Sequence, residues 1–232
     1  MKEQLQKDFE NTIRNLSLSQ KDIEIKKFSL DNFINKGFPN RREEDWKFSD
    51  LNQIINKNIG ELSFYNDYTS TNKVDTSVFV DGLVHNKIVF INGRIEKIDF
   101  DYEKKDQIEI IDQSEIINKF ENNNSLSDLN SAFTNKSFKI VVKKGYQLSK
   151  PLIIYHTTNS KIWSKNINLR LDFELQEDSS LRLIDLFNDT SEKNFLNIFY
   201  NFDLKENAIF KNFKIDKICL LYTSPSPRDA LT

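Results

Sequence analysis

Two histidines, one cysteine and a scatter of acids are what this chain offers to catalysis or metal binding. His85 and His156 lie far apart, and neither stands in the short spacing to a second ligand that marks a metal site. His156 falls in the apolar run 152–156, where it reads as a structural strand residue ahead of a ligand or proton relay. Cys219 is the only cysteine, so no internal disulfide can form. An iron–sulfur cluster held by several thiolates is likewise beyond this chain alone. The five glycines, at 37, 60, 82, 93 and 145, are too scattered to cradle a phosphate, and no GxxxxGK[ST] exists, which excludes ATP hydrolysis by this chain. Among carboxylates, Asp172 with Asp203 is the nearest candidate pair, Asp203 following Phe202 as Glu174 follows Phe173. Surface solvation accounts for these acids without chemistry. No residue is assigned a catalytic, cofactor-binding or metal-binding role.

One compact charge run stands out, Arg41, Arg42, Glu43, Glu44 and Asp45. It reads as a solvated loop, with a docking surface as the functional alternative. Trp46 behind it reads as an anchor that packs a helical region onto the strands later in the chain.

The frame that must position these groups is a soluble globular one, with 38% hydrophobic and 29% charged residues, which excludes a disordered chain. Basic and acidic residues number 33 and 35 and are spread evenly, so nucleic acid is excluded as a partner. The amino terminus lacks the apolar core of a signal peptide. No window approaches the run of about 18 apolar residues that a membrane span needs, and cytoplasm is the expected location.

Leu5, Phe9, Ile13 and Leu16 fall on one helical face. Asp31 is expected to cap a second helix carrying Phe33 and Ile34, ended by Gly37. Ser49 is expected to cap a third, carrying Leu51, Ile54 and Ile55 and closing near Gly60. Beyond residue 60 the apolar period becomes two. In IVFINGRIEKI (88–98), Asn92-Gly93 between two apolar runs predicts a hairpin, because both turn positions need positive φ. ENNN (121–124) marks a loop, and SLSDLNSAF (125–133) has the spacing of a short helix.

From about residue 138 strand follows strand. Leu169, Leu171, Phe173 and Leu175 alternate with Asn168, Arg170, Asp172 and Glu174, and Ile198, Tyr200, Phe202 and Leu204 alternate likewise. The segment FELQEDSSLRLIDL (173–186) matches FDLKENAIFKNFKI (202–215), laying Phe173 on Phe202, Leu175 on Leu204, Asp178 on Asn207, Leu181 on Phe210, Ile184 on Phe213 and Leu186 on Ile215. IVVKKGYQLSKPLII is a looser, earlier copy with Gly145 at its corner. Each copy has an apolar face that it cannot bury alone, so the repeat predicts stacked coils, a β-helix. A β-sandwich of meandering hairpins is the alternative.

GFPNRREEDWKFSDL (37–51), with Gly37, Pro39, Arg41, Trp46, Lys47, Phe48 and Ser49, resembles the N-terminal signature of the SufB/SufD family of iron–sulfur cluster assembly scaffolds, in its SufD branch. IVFINGR, then LNSAF with IVVKKGYQLSKPLIIYH, then LDFELQEDSSLRLIDLF are similar to successive segments of that family, in order, over nearly all of residues 30–215. The resemblance implies a mainly β fold: a truncated right-handed parallel β-helix preceded by an N-terminal α-helical region. The expected parts are a helical region at 1–60, a hairpin and mixed connecting region at 61–135, and the first coils of the β-helix at 136–218.

The implied role is that of a non-enzymatic scaffold subunit of the SufBCD complex, supporting iron delivery and cluster building on the partner subunit. The implied partners are SufB, through the β-helix, and the SufC ATPase, through a C-terminal region. No cofactor is expected on this chain; the complex assembles the iron–sulfur cluster, and ATP is used on SufC. A polysaccharide-acting β-helix lyase or hydrolase is the alternative. Residues 219–232, CLLYTSPSPRDALT, break the Lys-, Asn- and Ile-rich texture and resemble translated sequencing-adapter DNA. The chain is therefore expected to be a fragment with a non-native tail.

Overall fold

The computed structural model describes residues 2–14, 16, 18–60, 63–65, 72–113, 124–159, 162–189 and 193–216. The tail 219–232 and positions 121–123 of the expected loop lie outside them.

The chain opens with helices. Helix α1 (Lys2–Arg14) buries Leu5 and Phe9, and Leu16 lies past its end. Helix α2 (Gln20–Lys36) begins eleven residues ahead of Asp31, so Asp31 is an exposed mid-helix residue and not the cap. The cap is Ser19, whose Oγ donates to the Asp22 carboxylate at 2.5 Å and accepts from its N–H at 3.2 Å, a reciprocal pair that satisfies helix-end donors. Apolar periodicity does not announce this first half, because its buried residues are Asp22, Lys26 and Ser29. Gly37 ends α2 at φ +74°, its N–H returning to the Phe33 carbonyl at 2.7 Å. Helix α3 (Leu51–Asn58) is capped by Asp50, which accepts from the Gln53 N–H at 2.9 Å. Ser49, the expected cap, is buried one residue earlier.

After the short strand β1 (Ser63–Phe64), strands β2 (Asn86–Ile91) and β3 (Arg94–Asp99) form the expected hairpin, with φ +52° at Asn92 and +78° at Gly93. A Cβ on Gly93 would meet Ile167 Cγ2 at 2.8 Å. Strain and clash together make Gly93→Ala lose about 1–2 kcal/mol of stability, read from the urea midpoint; an unchanged midpoint would contradict the packing of this turn on Ile167.

Strand β4 (Ile108–Gln113) and helix α4 (Ser125–Phe133) lead into the repeat: β5 (Ser137–Val142), β6 (Leu152–Thr158), β7 (Lys165–Leu175), β8 (Ser180–Asp189), β9 (Phe195–Leu204) and β10 (Ile209–Asp216). The chain visits two sheets in turn. In one, β5, β7 and β9 pair in parallel, with β1 also on β7 and β4 antiparallel on β5. In the other, β2, β6, β8 and β10 pair in parallel, with β3 antiparallel on β2. Among the described residues β2/β3 and β4/β5 are the only antiparallel pairs, so the strands from β5 onward are not meandering hairpins.

The pairing register is the sequence self-match. Phe173 pairs with Phe202 and Leu175 with Leu204 in one sheet, and Leu181 with Phe210, Ile184 with Phe213 and Leu186 with Ile215 in the other. The corners stack as well: Gly145, Asp178 and Asn207 all have positive φ, the Gly145 N–H donates to the Glu177 carbonyl, and Asn207 Nδ2 donates to Asp178 Oδ1 at 3.0 Å. Between the sheets lies a core that includes Ile88, Phe90, Ile140, Ile154, Leu171, Phe173 and Leu183. A second core joins the helices to the strands, with Phe133 of α4 stacked on Phe64 at 3.6 Å and Phe195 of β9 at its edge. Asn130 of α4 fastens this join, its Nδ2 donating to the carbonyls of Leu169 and Asn197 at 3.1 and 2.7 Å.

Candidate functional site

Strand pleat sends every second side chain of β6, β8 and β9 into the space between the sheets. At most inward positions these are aliphatic or aromatic. At one end of that row they are His156, Asp185 and Tyr200. His156 shares the face of Leu152 and Ile154, Asp185 that of Leu181 and Leu183, and Tyr200 that of Ile198. His156 is 2% exposed and Asp185 equally buried. The imidazole stacks between Phe90 and Phe187, its register neighbours on β2 and β8, at centroid distances of 5.6 and 4.7 Å.

Three polar atoms converge there. The Tyr200 hydroxyl lies 2.5 Å from Asp185 Oδ1, and His156 Nε2 lies 2.9 Å from that hydroxyl and 3.3 Å from the same carboxylate oxygen. The short contact takes the phenolic proton to Asp185, so the remaining geometry assigns the proton of His156 to Nε2, donating to the pair. Burial holds the His156 pKa below its ordinary value, with Asp185 opposing and Lys214 adding to the depression, so the ring is neutral at pH 7. Burial, and then the Asp185 charge, push the Tyr200 hydroxyl well above its usual range. Lys214 lies on β10 at the position paired with Asp185, its ammonium 4.7 Å from the Phe187 ring.

The sequence singles out His156 as a strand residue, and it is one. Asp185 and Tyr200 carry no local signal. Nor does the repeat mark Asp185, because β6 and β8 pair at an offset of 31 residues, which sets His156 beside Phe187 and Asp185 beside Ile154.

The other histidine is a fastener. His85 Nδ1 donates to the Leu83 carbonyl at 2.6 Å, and Nε2 accepts from the Tyr155 hydroxyl at 2.7 Å, which itself accepts from the Val80 N–H. This ties the segment carrying Val78, Phe79 and Val80 onto the outer face of β2 and β6, over Val89, Ile91 and Ile153.

The candidate acid pair does not form. Asp172 pairs with Asn201, and it is Glu174 that neighbours Asp203. Each of these acids faces a cation: Glu174 lies 2.5 Å from Lys139, Asp203 lies 2.8 Å from Lys205, and Asp172 lies 3.5 Å from Arg170. Arg41 to Asp45 are all exposed, and Trp46 behind them packs half-buried on the core that joins helices to strands.

Lys26 is a further buried titratable group. Its ammonium donates to the carbonyls of Ser131, Ala132 and Thr134 at 3.2, 3.4 and 2.6 Å, closing the C-terminal end of α4. Burial lowers its pKa to about 7, with Asp22 opposing. The folded value lies below the unfolded one, so the unfolded chain binds more protons between pH 7 and about 10.5 and stability rises with pH across that window. In Lys26→Met this part of the rise should vanish. Parallel slopes for the two proteins in urea titrations at pH 6.5, 8 and 9.5 would contradict it.

Among the described residues no group of three or more His, Cys, Asp or Glu side chains could hold a metal ion, and no helix is long and apolar enough to cross a membrane. The last described strands, β9 and β10, each at an edge of its sheet, leave Phe202, Leu204, Ile209, Phe213 and Ile215 exposed, Phe213 at 58%. Neither a family model nor a curated protein matches the chain.

Proposed function

We propose that this chain is a scaffold component of the SufB/SufD type, and that its alternating parallel ladders are the first coils of a right-handed parallel β-helix. One observation carries the reading: the 29-residue self-match is the pairing register of β7 with β9 and of β8 with β10, one pair in each sheet, with the Asp178–Asn207 corner between them. That stacking leaves β9 and β10, the last described strands of the two sheets, with exposed apolar side chains, a surface suited to another strand-bearing partner. SufB is the partner the resemblance supplies for such a surface, and SufC the ATPase bound elsewhere on the whole protein. In this reading the complex builds the iron–sulfur cluster, ATP is spent on SufC, and the present chain contributes position and iron delivery, in the cytoplasm.

A polysaccharide-acting lyase or hydrolase is the weaker reading, because the outward acids of β7 and β9 are taken up by Lys139, Arg170 and Lys205. The test is co-expression of the reading frame that contains residues 1–216 with SufB and SufC, followed by capture of SufC. Stoichiometric recovery of all three proteins is expected. Recovery of SufB and SufC without this chain would overturn the reading.

A further inference from the structure

The inward cluster holds three atoms that are each metal donors in their own right: an imidazole nitrogen, a carboxylate oxygen and a phenolic oxygen. Their separations are 2.5, 2.9 and 3.3 Å. Three donors on one face of an octahedral ion with bonds of about 2.1 Å stand about 3.0 Å apart. The observed triangle has edges around that length, so an ion about 1 Å out of its plane reaches all three with small side-chain shifts. We propose that His156, Asp185 and Tyr200 form a binding site for one divalent first-row transition ion, completed by solvent. The proposal stands apart from the scaffold reading and does not need it.

The chemistry is self-consistent. Neutral imidazole suits zinc, cobalt, nickel and iron, and the two oxygen donors bring two negative charges to match a divalent cation once the phenol is ionised. The ion supplies the driving force for that ionisation, as it does for a coordinated thiol or water. On binding, His156 gives up its Nε2 proton and takes one up at Nδ1, with no net change on the ring, Tyr200 releases one proton to solvent, and Asp185, already the acceptor, releases none. Net binding of one divalent ion therefore releases one proton.

The approach is from the β9 side, where Tyr200, itself mostly buried, is the least enclosed of the three and His156 and Asp185 are sealed behind it. The groups around the triangle are Phe90 from β2, Phe187 from β8, Phe173 from β7 and Lys214 from β10. Lys214 is the one cation among them, and its charge opposes an incoming ion, so removing it should tighten binding.

The experiment uses the whole chain carrying Cys219→Ser, to remove the thiol, titrated with Zn2+ by calorimetry at pH 7 in two buffers of different ionisation enthalpy. One ion per chain and one proton released are expected. In Tyr200→Phe, which keeps the ring, proton release should disappear and binding weaken about tenfold or more. In Lys214→Gln binding should tighten several-fold. Far-UV circular dichroism checks that each variant is folded, and His156→Gln supplies a second ligand deletion should Tyr200→Phe unfold. Absence of stoichiometric Zn2+ uptake by the parent chain would overturn the proposal, as would uptake unaltered by both ligand deletions.

Discussion

Replacing Phe173 by alanine is expected to cost about 3–5 kcal/mol, enough to leave a domain of ordinary stability largely unfolded. Phe173 is 1% exposed and sits toward the C-terminal end of β7, the strand around which one sheet is built. Its ring stacks on Phe202 at 5.3 Å and Tyr200 at 6.1 Å within the sheet and meets Phe210 of the facing sheet at 6.2 Å. Truncation removes a large apolar side chain and leaves a void walled by other strands, which a parallel ladder cannot collapse to fill. Phe202, its register partner on β9, is 37% exposed, and Phe202→Ala should cost only about 1 kcal/mol. The contrast between paired positions on β7 and β9 is the informative quantity, read as the difference in urea midpoints. Equal losses at the two sites would contradict the stacking order.

Glu103→Gln is expected to cost about 2–3 kcal/mol at pH 7 despite near-identical shape. The Glu103 carboxylate accepts from Asn86 Nδ2 and the Tyr146 hydroxyl at 2.7 Å each, and from the Ser149 N–H, the Ser149 hydroxyl and the Lys150 N–H at 3.1 Å each. It thus ties the turn after β3 to the segment that starts β6. An amide offers one acceptor oxygen and turns an N–H toward these donors, leaving backbone groups unpaired. Burial on its own would raise the Glu103 pKa, but the combined donors from Asn86, Tyr146, Ser149 and Lys150 outweigh it and the value lies below the ordinary 4.5. The stability this carboxylate contributes is therefore complete above pH 4.5 and is lost as pH falls through the folded value. Glu103→Gln should flatten that part of the acid limb in urea titrations at pH 7 and 3.5. An acid limb of unchanged depth would show that the clamp does not form.

What the sequence discloses and what it hides have physical reasons. The alternation of Leu169 to Leu175 and of Ile198 to Leu204 is imposed by the pleat, so it survives in the linear text, and the corner residues Gly145, Asp178 and Asn207 show because few residue types tolerate positive φ. The first half of α2 is hidden because its buried side is polar: Lys26 is there to reach carbonyls and not to fill space. The cap of α3 is Asp50 and not Ser49 because either side chain can serve and tertiary packing buries Ser49. Pairing Asp172 with Asp203 runs against the self-match, which already implies Asn201, so the true partner was legible in the repeat. The His156, Asp185 and Tyr200 cluster is out of reach for a different reason. It forms across two sheets, and Tyr200 approaches from the facing sheet, a relation no in-sheet register contains.

The stacking register can be tested directly with engineered cysteine pairs in the Cys219→Ser chain. Neighbouring strands run about 4.8 Å apart, which places positions 174 and 203 within disulfide reach, whereas 172 and 203, two residues out of register, lie about 8 Å apart, beyond the usual limit. Mild oxidation of Glu174→Cys with Asp203→Cys is expected to give nearly complete intramolecular cross-linking, and Asp172→Cys with Asp203→Cys very little. Equal yields, or the reverse order, would contradict the parallel register of β7 on β9 and remove the physical basis of the proposed scaffold role.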